Sequence, residues 1–133
     1  MKFRLSSLFA ACLLPLLAFA DSPVVFNEIM YHPRTNESQL EWVELHNQMA
    51  VDMDMSHWRL DGGIQFNFPE ATVIPAGGYL LVAASPSTLM AATGVTGIVG
   101  PFIDRLSNAG EALRLRDNNN RVMDEVTYGV EGD

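Results

Sequence analysis

The sequence predicts an all-β fold, a sandwich or barrel of eight or nine short strands. Short runs of β-branched, aromatic and alternating residues recur along the chain, and clusters of Gly, Pro, Asn and Asp separate them. No stretch alternates strand with helix in the manner of a doubly wound parallel sheet.

The first segment stands apart from that pattern. Lys2 and Arg4 precede the apolar run LSSLFAACLLPLLAFA, and Ala18-Phe19-Ala20 puts small residues at the two positions a signal peptidase reads. The expectation is a signal peptide over residues 1–20, with the mature chain beginning at Asp21 and exported to a secreted, periplasmic or cell-surface location. The run falls short of the roughly 20 apolar residues of a comfortable membrane span. Cys12, the only cysteine, lies within it. The expected mature chain therefore has neither disulfide nor thiolate, and packing must hold it together. Its 113 residues suffice for one domain with a modest core. Without Lys2 and Arg4, six arginines face 16 acidic groups, and the net charge moves from -8 to -10. Nucleic-acid binders present a basic face, so this balance argues against such a partner unless Arg105, Arg114, Arg116 and Arg121 cluster.

Taken in order, Val24–Met30 (VVFNEIM) and Trp42–Asn47 (WVELHN) read as strands. His57 to Leu60 leads through Asp61-Gly62-Gly63 into Ile64 to Phe68. There Ile64, Phe66 and Phe68 point one way and Gln65 and Asn67 the other, as in a tight hairpin. Thr72 to Ile74 and a Pro75-to-Gly78 turn precede Tyr79 to Ala84, whose apolar character on both faces predicts a central strand. One short helix is expected over 86–93, with Ser85 as its cap, Pro86 in its first turn and Gly94 at its end. Strands are expected again at Ile98 to Ile103, at Glu111 to Arg116, with Leu113 and Leu115 inward and Arg114 and Arg116 outward, and at Val122 to Tyr128 after the turn at Asp117 to Asn120.

Chemistry-bearing residues concentrate between Asn27 and Gln48 (NEIMYHPRTNESQLEWVELHNQ). Glu44 and His46 share one strand face with Trp42, while Glu41 lies on the other with Val43 and Leu45. Glu28, Glu44 and His46 form the best constructible metal cluster if the two strands pair, but no HExxH or paired-cysteine pattern accompanies them. Strict alternation puts Glu28 on a face with Val24, Phe26 and Met30. A carboxylate so placed must find donors, such as backbone N–H groups or Arg59, or the strand must bulge to turn it out. Hydrogen-bond partners rather than a metal are expected.

Asp117 to Arg121 begins like a calcium loop but has Val122 where glycine is needed and Tyr128 where glutamate is needed, so it reads as a hairpin turn. Asp52, Asp54 and Asp61 have no diagnostic spacing. No nucleophilic serine motif or phosphate loop is present. Trp58, Tyr79, Phe66 and Phe68 can make a ligand platform, but at strand positions they read as core.

In order, the blocks VVFNEIMYHP, EWVELHNQ, VDMDMSHWRL, FPEATVIPAGGYLLVA, LSNAGEALRLRD and VMDEVTYG resemble a lamin-tail domain of the bacterial secreted type. The resemblance covers about 105 residues, nearly all of the chain after the first segment. It implies an immunoglobulin-like β-sandwich over 21–133 with no catalytic residues and no cofactor. Asn27, Glu28, Glu44, Trp58 and Gly110 match recurrent positions of the family and are read as fold determinants. His46 stands where the family often has an aromatic residue, and His57 where it often has glycine. The family pattern also continues past the Tyr128-Gly129 block into a closing strand, so the resemblance leads one to expect a short variant or a piece of a longer protein. The function expected is that of an exported, non-enzymatic interaction or structural module, the accessory part of a larger secreted protein, whose partner is a protein or a cell-envelope component. The competing expectation is a calcium- or zinc-dependent hydrolase or metal-stabilised module using Glu28, Glu44 and His46.

Overall fold

A computed structural model of the protein describes residues 22–34 and 38–130. The expected signal segment lies outside the described residues. Among them the chain forms β1 (Val24–Met30), β2 (Trp42–Asn47), β3 (Met53–Asp54), β4 (Arg59–Gly62), β5 (Ile64–Asn67), β6 (Val73–Ile74), β7 (Tyr79–Ala83), α1 (Pro86–Thr93), β8 (Ile103–Asp104), β9 (Glu111–Arg116) and β10 (Val122–Tyr128). A 3-10 turn at Ser38–Leu40 precedes β2.

The strands make a three-stranded sheet in the order β1-β2-β7 and a five-stranded sheet in the order β10-β9-β4-β5-β8. A small β3-β6 ribbon completes the fold. The strand-to-strand pairings of all three are antiparallel. Alternation places Val43 and Leu45 of β2 and Leu80 and Val82 of β7 on one inner face, against Leu60, Ile64, Leu113 and Leu115 from the other. Phe68 and Trp58 join them at 1% and 7% exposure, so two of the four candidate platform aromatics are core. Phe66 meets Phe68 edge-on at 5.0 Å. Each large apolar side chain withdrawn from water in this way contributes about 1.5–3 kcal/mol.

The Gly62-Gly63 hairpin forms as expected, with Arg59 paired to Asn67 and Leu60 to Phe66. Gly62 takes φ 106°, and a Cβ there would collide with the Ala112 carbonyl of the neighbouring β9. Helix α1 has the expected bounds. Ser85 is extended at its N-cap, with its hydroxyl on that of Thr88 (2.8 Å), and the Gly94 N–H closes the last turn on the Met90 carbonyl. His57, at the position where the resembled family often has glycine, stands at φ 62°, in the left-handed region that glycine adopts without strain.

Three expectations need correction. Strict alternation fails in β1, because the β1–β2 register shifts between Phe26 and Glu28. This bulge keeps Val24, Phe26 and Ile29 on the core side and leaves Glu28 and Met30 exposed. Glu28 is turned out by the bulge and, among the described residues, makes no hydrogen bond or ion pair. Arg59 belongs to the other sheet, on Asp61 (3.6 Å) and Asn120. Second, β7 is a sheet edge rather than a central strand. Its apolar outer side is explained by α1, which packs against it, and by Val99, which exchanges hydrogen bonds with Leu81 and Ala83 (2.9 Å each). Third, 98–103 is not a full strand: only the Val99 bridge and the two-residue β8 form, with a cis peptide at Gly100-Pro101 between them.

Asn47, fully buried at the end of β2, ties the sandwich to the ribbon. Its amide nitrogen donates toward the carbonyls of Val51 (2.8 Å), Ile74 and Pro75 (3.0 Å each), and its Oδ1 accepts the Met49 N–H at 2.9 Å. Replacing it by alanine orphans several backbone groups at once, and buried polar groups without partners cost about 1–3 kcal/mol each. We expect Asn47→Ala to lower the unfolding free energy by at least about 2 kcal/mol in urea titration. A loss below about 0.5 kcal/mol would contradict this account of the joint.

Candidate functional site

Two places gather polar chemistry. The first is the outer face of the three-stranded sheet. Directly opposed residues of antiparallel strands share a face, and the register makes three rows there: Met30–Trp42–Ala83, Glu28–Glu44–Leu81 and Val25–His46–Tyr79. Trp42, Glu44 and His46 are half-buried, alternating with buried Val43, Leu45 and Asn47. Asn27, at the bulge, donates to Glu44 Oε1 at 2.7 Å. The His46 ring lies flat on Tyr79, centroids 4.4 Å apart and 11° from parallel, while Tyr79 stays 54% exposed. His46 thus takes the aromatic part at a position where the family often has an aromatic residue. Beside the first row an apolar groove of about 460 Å³ runs between Trp42 and Met30 on one side and Leu89, Ala92 and Thr93 of α1 on the other. Leu40, His32 and Arg34 close its end.

The metal reading of this face finds no support among the described residues. Pairing of β1 with β2 brings Glu28 opposite Glu44 as the sequence allows, but His46 sits one row further along, stacked on Tyr79. Among the described residues no group of three His, Cys, Asp or Glu side chains is placed to hold a metal ion. Asp52, Asp54 and Asp61 are also dispersed. Asp52 accepts the Ala76 N–H at 3.0 Å, Asp54 accepts the Ser56 N–H at 2.8 Å, and Asp61 sits among Arg59, Arg114 and Arg116. The Ser56 hydroxyl and N–H together hold the Asp54 carboxyl below its ordinary range.

The outer face of the five-stranded sheet is different in kind. Arg59, Arg114 and Arg116 surround Asp61, and Arg114 also meets Glu125. Arg121 pairs with Asp117 at 2.6 Å, inside the 117–121 turn. Burial acts to raise the Asp117 carboxyl, but the N–H groups of Arg121 and Asn119 and the Arg121 guanidinium outweigh it and hold it below the usual value. The arginines considered as a basic patch are thus tied up one by one in ion pairs, or, for Arg105, set near Glu41.

The second place is the end of the sandwich where β2 begins. Glu41 points to the core side, as its alternation with Val43 and Leu45 requires, and is 5% exposed. Its Oε2 accepts the Leu106 N–H at 2.9 Å, joining the three-stranded sheet to the loop before β9. That loop is held from behind. The Tyr128 hydroxyl donates toward Glu111 Oε1 (2.9 Å) and the Ser107 carbonyl (3.1 Å), and Glu111 Oε1 also accepts the Ser107 N–H (2.9 Å). Gly110 takes φ 90° with the Tyr128 carbonyl where a Cβ would stand. A cleft of about 360 Å³ opens here, lined in part by Glu41, Tyr31, His32 and Arg105. Burial pushes the Glu41 carboxyl above its ordinary value, against the opposing effects of the Leu106 N–H and the Arg105 charge. Burial and the Glu111 carboxylate likewise push the Tyr128 phenol well up.

The structure brings Glu28, Asn27 and Glu44 together, separates His46 from them, and places Trp58 in the core and Gly110 in the Tyr128 joint. The carboxylate among apolar neighbours is Glu41, not Glu28. The same alternation that put Glu41 beside Val43 and Leu45 was the signal.

Two facing sheets, inward-alternating cores and a short edge-covering helix make this an immunoglobulin-like β-sandwich module. The Lamin Tail Domain model matches residues 18–130, and the chain belongs to that family, an immunoglobulin-like, non-catalytic one. Among curated proteins none matches the chain.

The Glu41 geometry fixes the sign of a pH effect. A carboxyl whose folded value is raised contributes stability below its unfolded value near about 4.3, and that contribution is lost as pH rises through the folded value. Glu41→Gln keeps an acceptor for the Leu106 N–H without the buried charge. We expect its melting temperature to gain on that of the parent as pH rises from about 4 to 7. Parallel curves over that range would refute the assignment.

Proposed function

We propose that the chain is an exported, non-enzymatic interaction module, the accessory part of a larger secreted protein, that docks a protein or cell-envelope component through the outer face of its three-stranded sheet. The carrying observation is the contrast between its two outer faces. On the β4, β9 and β10 part of the five-stranded sheet, Arg59, Arg114 and Arg116 pair with Asp61 and Glu125. On the three-stranded sheet an exposed tyrosine, an exposed methionine, a groove and Glu28, which makes no ion pair among the described residues, are left to solvent. Surface features of this kind, grouped on one side, are what docking sites present. Export rests on the n-region, apolar run and Ala18-Phe19-Ala20 of the first twenty residues. The acidic balance of the chain makes nucleic acid a poor partner.

Photo-crosslinking residues placed at Tyr79 and, as a control, at exposed Thr127 of the other sheet separate this reading from a passive spacer. Crosslinks to a macromolecule in the envelope or medium are expected from position 79 and not from 127. Equal yields from both positions, or none from 79, would count against it. Mass spectrometry of the exported product should find Asp21 at its amino terminus, and retention of the first twenty residues would remove the cleavage part of the proposal.

A further inference from the structure

Glu28 stands opposite Glu44 across the β1–β2 pair, and like charges so placed, about 5 Å apart at Cβ, repel. Asn27 answers one oxygen of Glu44. Among the described residues neither carboxylate forms an ion pair, whereas Asp61, Asp117 and Glu125 each hold an arginine. One row away along β2 lies Trp42, at the groove beside α1. One row away in the other direction lies the stacked His46–Tyr79 pair. Residues two apart on a strand are about 6.5–7 Å apart, so groove, carboxylate pair and aromatic pair succeed one another at the spacing of alternate side chains on an extended chain.

We infer that this face docks an extended, cationic segment of a partner protein. An arginine or lysine of that segment lies over Glu28 and Glu44. The alternate residue on one side is apolar and enters the groove against Trp42 and Leu89. The alternate residue on the other side packs on Tyr79. An arginine suits the central place because its planar fork reaches two carboxylate oxygens at once and its face stacks on an aromatic ring. The net charge, -8 for the whole chain and -10 without the first twenty residues, draws such a segment toward the protein before contact. The inference rests on the docking role proposed above for this face and adds the chemistry of what docks.

The test uses the purified chain and three probes: a labelled peptide with Leu, Arg and Tyr at alternate positions separated by serines, the same peptide with Glu for Arg, and a neutral glucan oligosaccharide. Fluorescence anisotropy should show the Arg peptide binding at least about tenfold more tightly than the Glu peptide, with affinity falling as salt rises. The double variant Glu28→Gln, Glu44→Gln should lose about tenfold in affinity. The double variant Glu70→Gln, Asp104→Asn, which makes the same change in net charge elsewhere, should lose less than about twofold. All four positions are at the surface or half-buried, and equal melting curves establish that both variants fold. Equal losses in the two variants would reduce the effect to overall charge and overturn the inference, as would equal binding of the two peptides, or binding of the glucan alone. Crosslinking at position 79 that persists unchanged in the Glu28→Gln, Glu44→Gln variant would overturn the cationic partner while leaving the docking role intact.

Discussion

The β-bulge between Phe26 and Glu28 governs what both faces of the first sheet become. A regular β1 would send Glu28 and Met30 to the same side as Val24 and Phe26. One extra residue reverses that assignment halfway along the strand. Val24, Phe26 and Ile29 all serve the core, and the polar pair Asn27 and Glu28 moves outward together, opposite Glu44. The alternative, a carboxylate driven into an apolar layer, would cost several kcal/mol unless donors met it. The bulge thus settles the core and the candidate docking face by one local device, and the Asn27–Glu44 hydrogen bond holds it in place.

Polar side chains do at the ends of this sandwich what cross-links do in many small exported domains. Asn47 fastens the ribbon to one end. Glu41, Glu111 and Tyr128 fasten the loop before β9 at the other. Each is a buried or half-buried group whose partners are mostly backbone atoms, so each specifies where a loop goes as well as adding stability. The Glu41 tie has a cost built into it, because the charge it keeps buried works against the hydrogen bond it makes.

Much of this was legible in the sequence, and the misses share a cause. Alternation and turn chemistry read out the Gly62-Gly63 hairpin, α1 with its Pro86 start and Gly94 stop, and the inward leucines of β9. Alternation also put Glu41 on the core side, although the Leu106 N–H that it meets there lies 65 residues away in the chain. What pattern could not show was where it breaks. A bulge leaves no mark in VVFNEIM beyond a polar pair in an apolar run. Tyr79 to Ala84 reads as central because α1 and the Val99 bridge supply its second cover, and neither shows in the pattern of the strand itself. Asn47 passed as an ordinary strand-end residue, since its importance lies in carbonyls more than twenty residues away.

The seam between the first and last strands carries a consequence in mechanics. Among the described residues β1 and β10 are each paired on one side only, and where they meet the Asp124 carboxylate accepts the Phe26 N–H at 2.8 Å, with side-chain packing around it. A backbone ladder shared between terminal strands resists shear as a set of bonds loaded together; a side-chain bond is loaded alone. Tension applied to the two ends of this domain therefore reaches its weakest junction first, and the sandwich would yield by parting along that seam while the Asn47 and Glu41 joints still held.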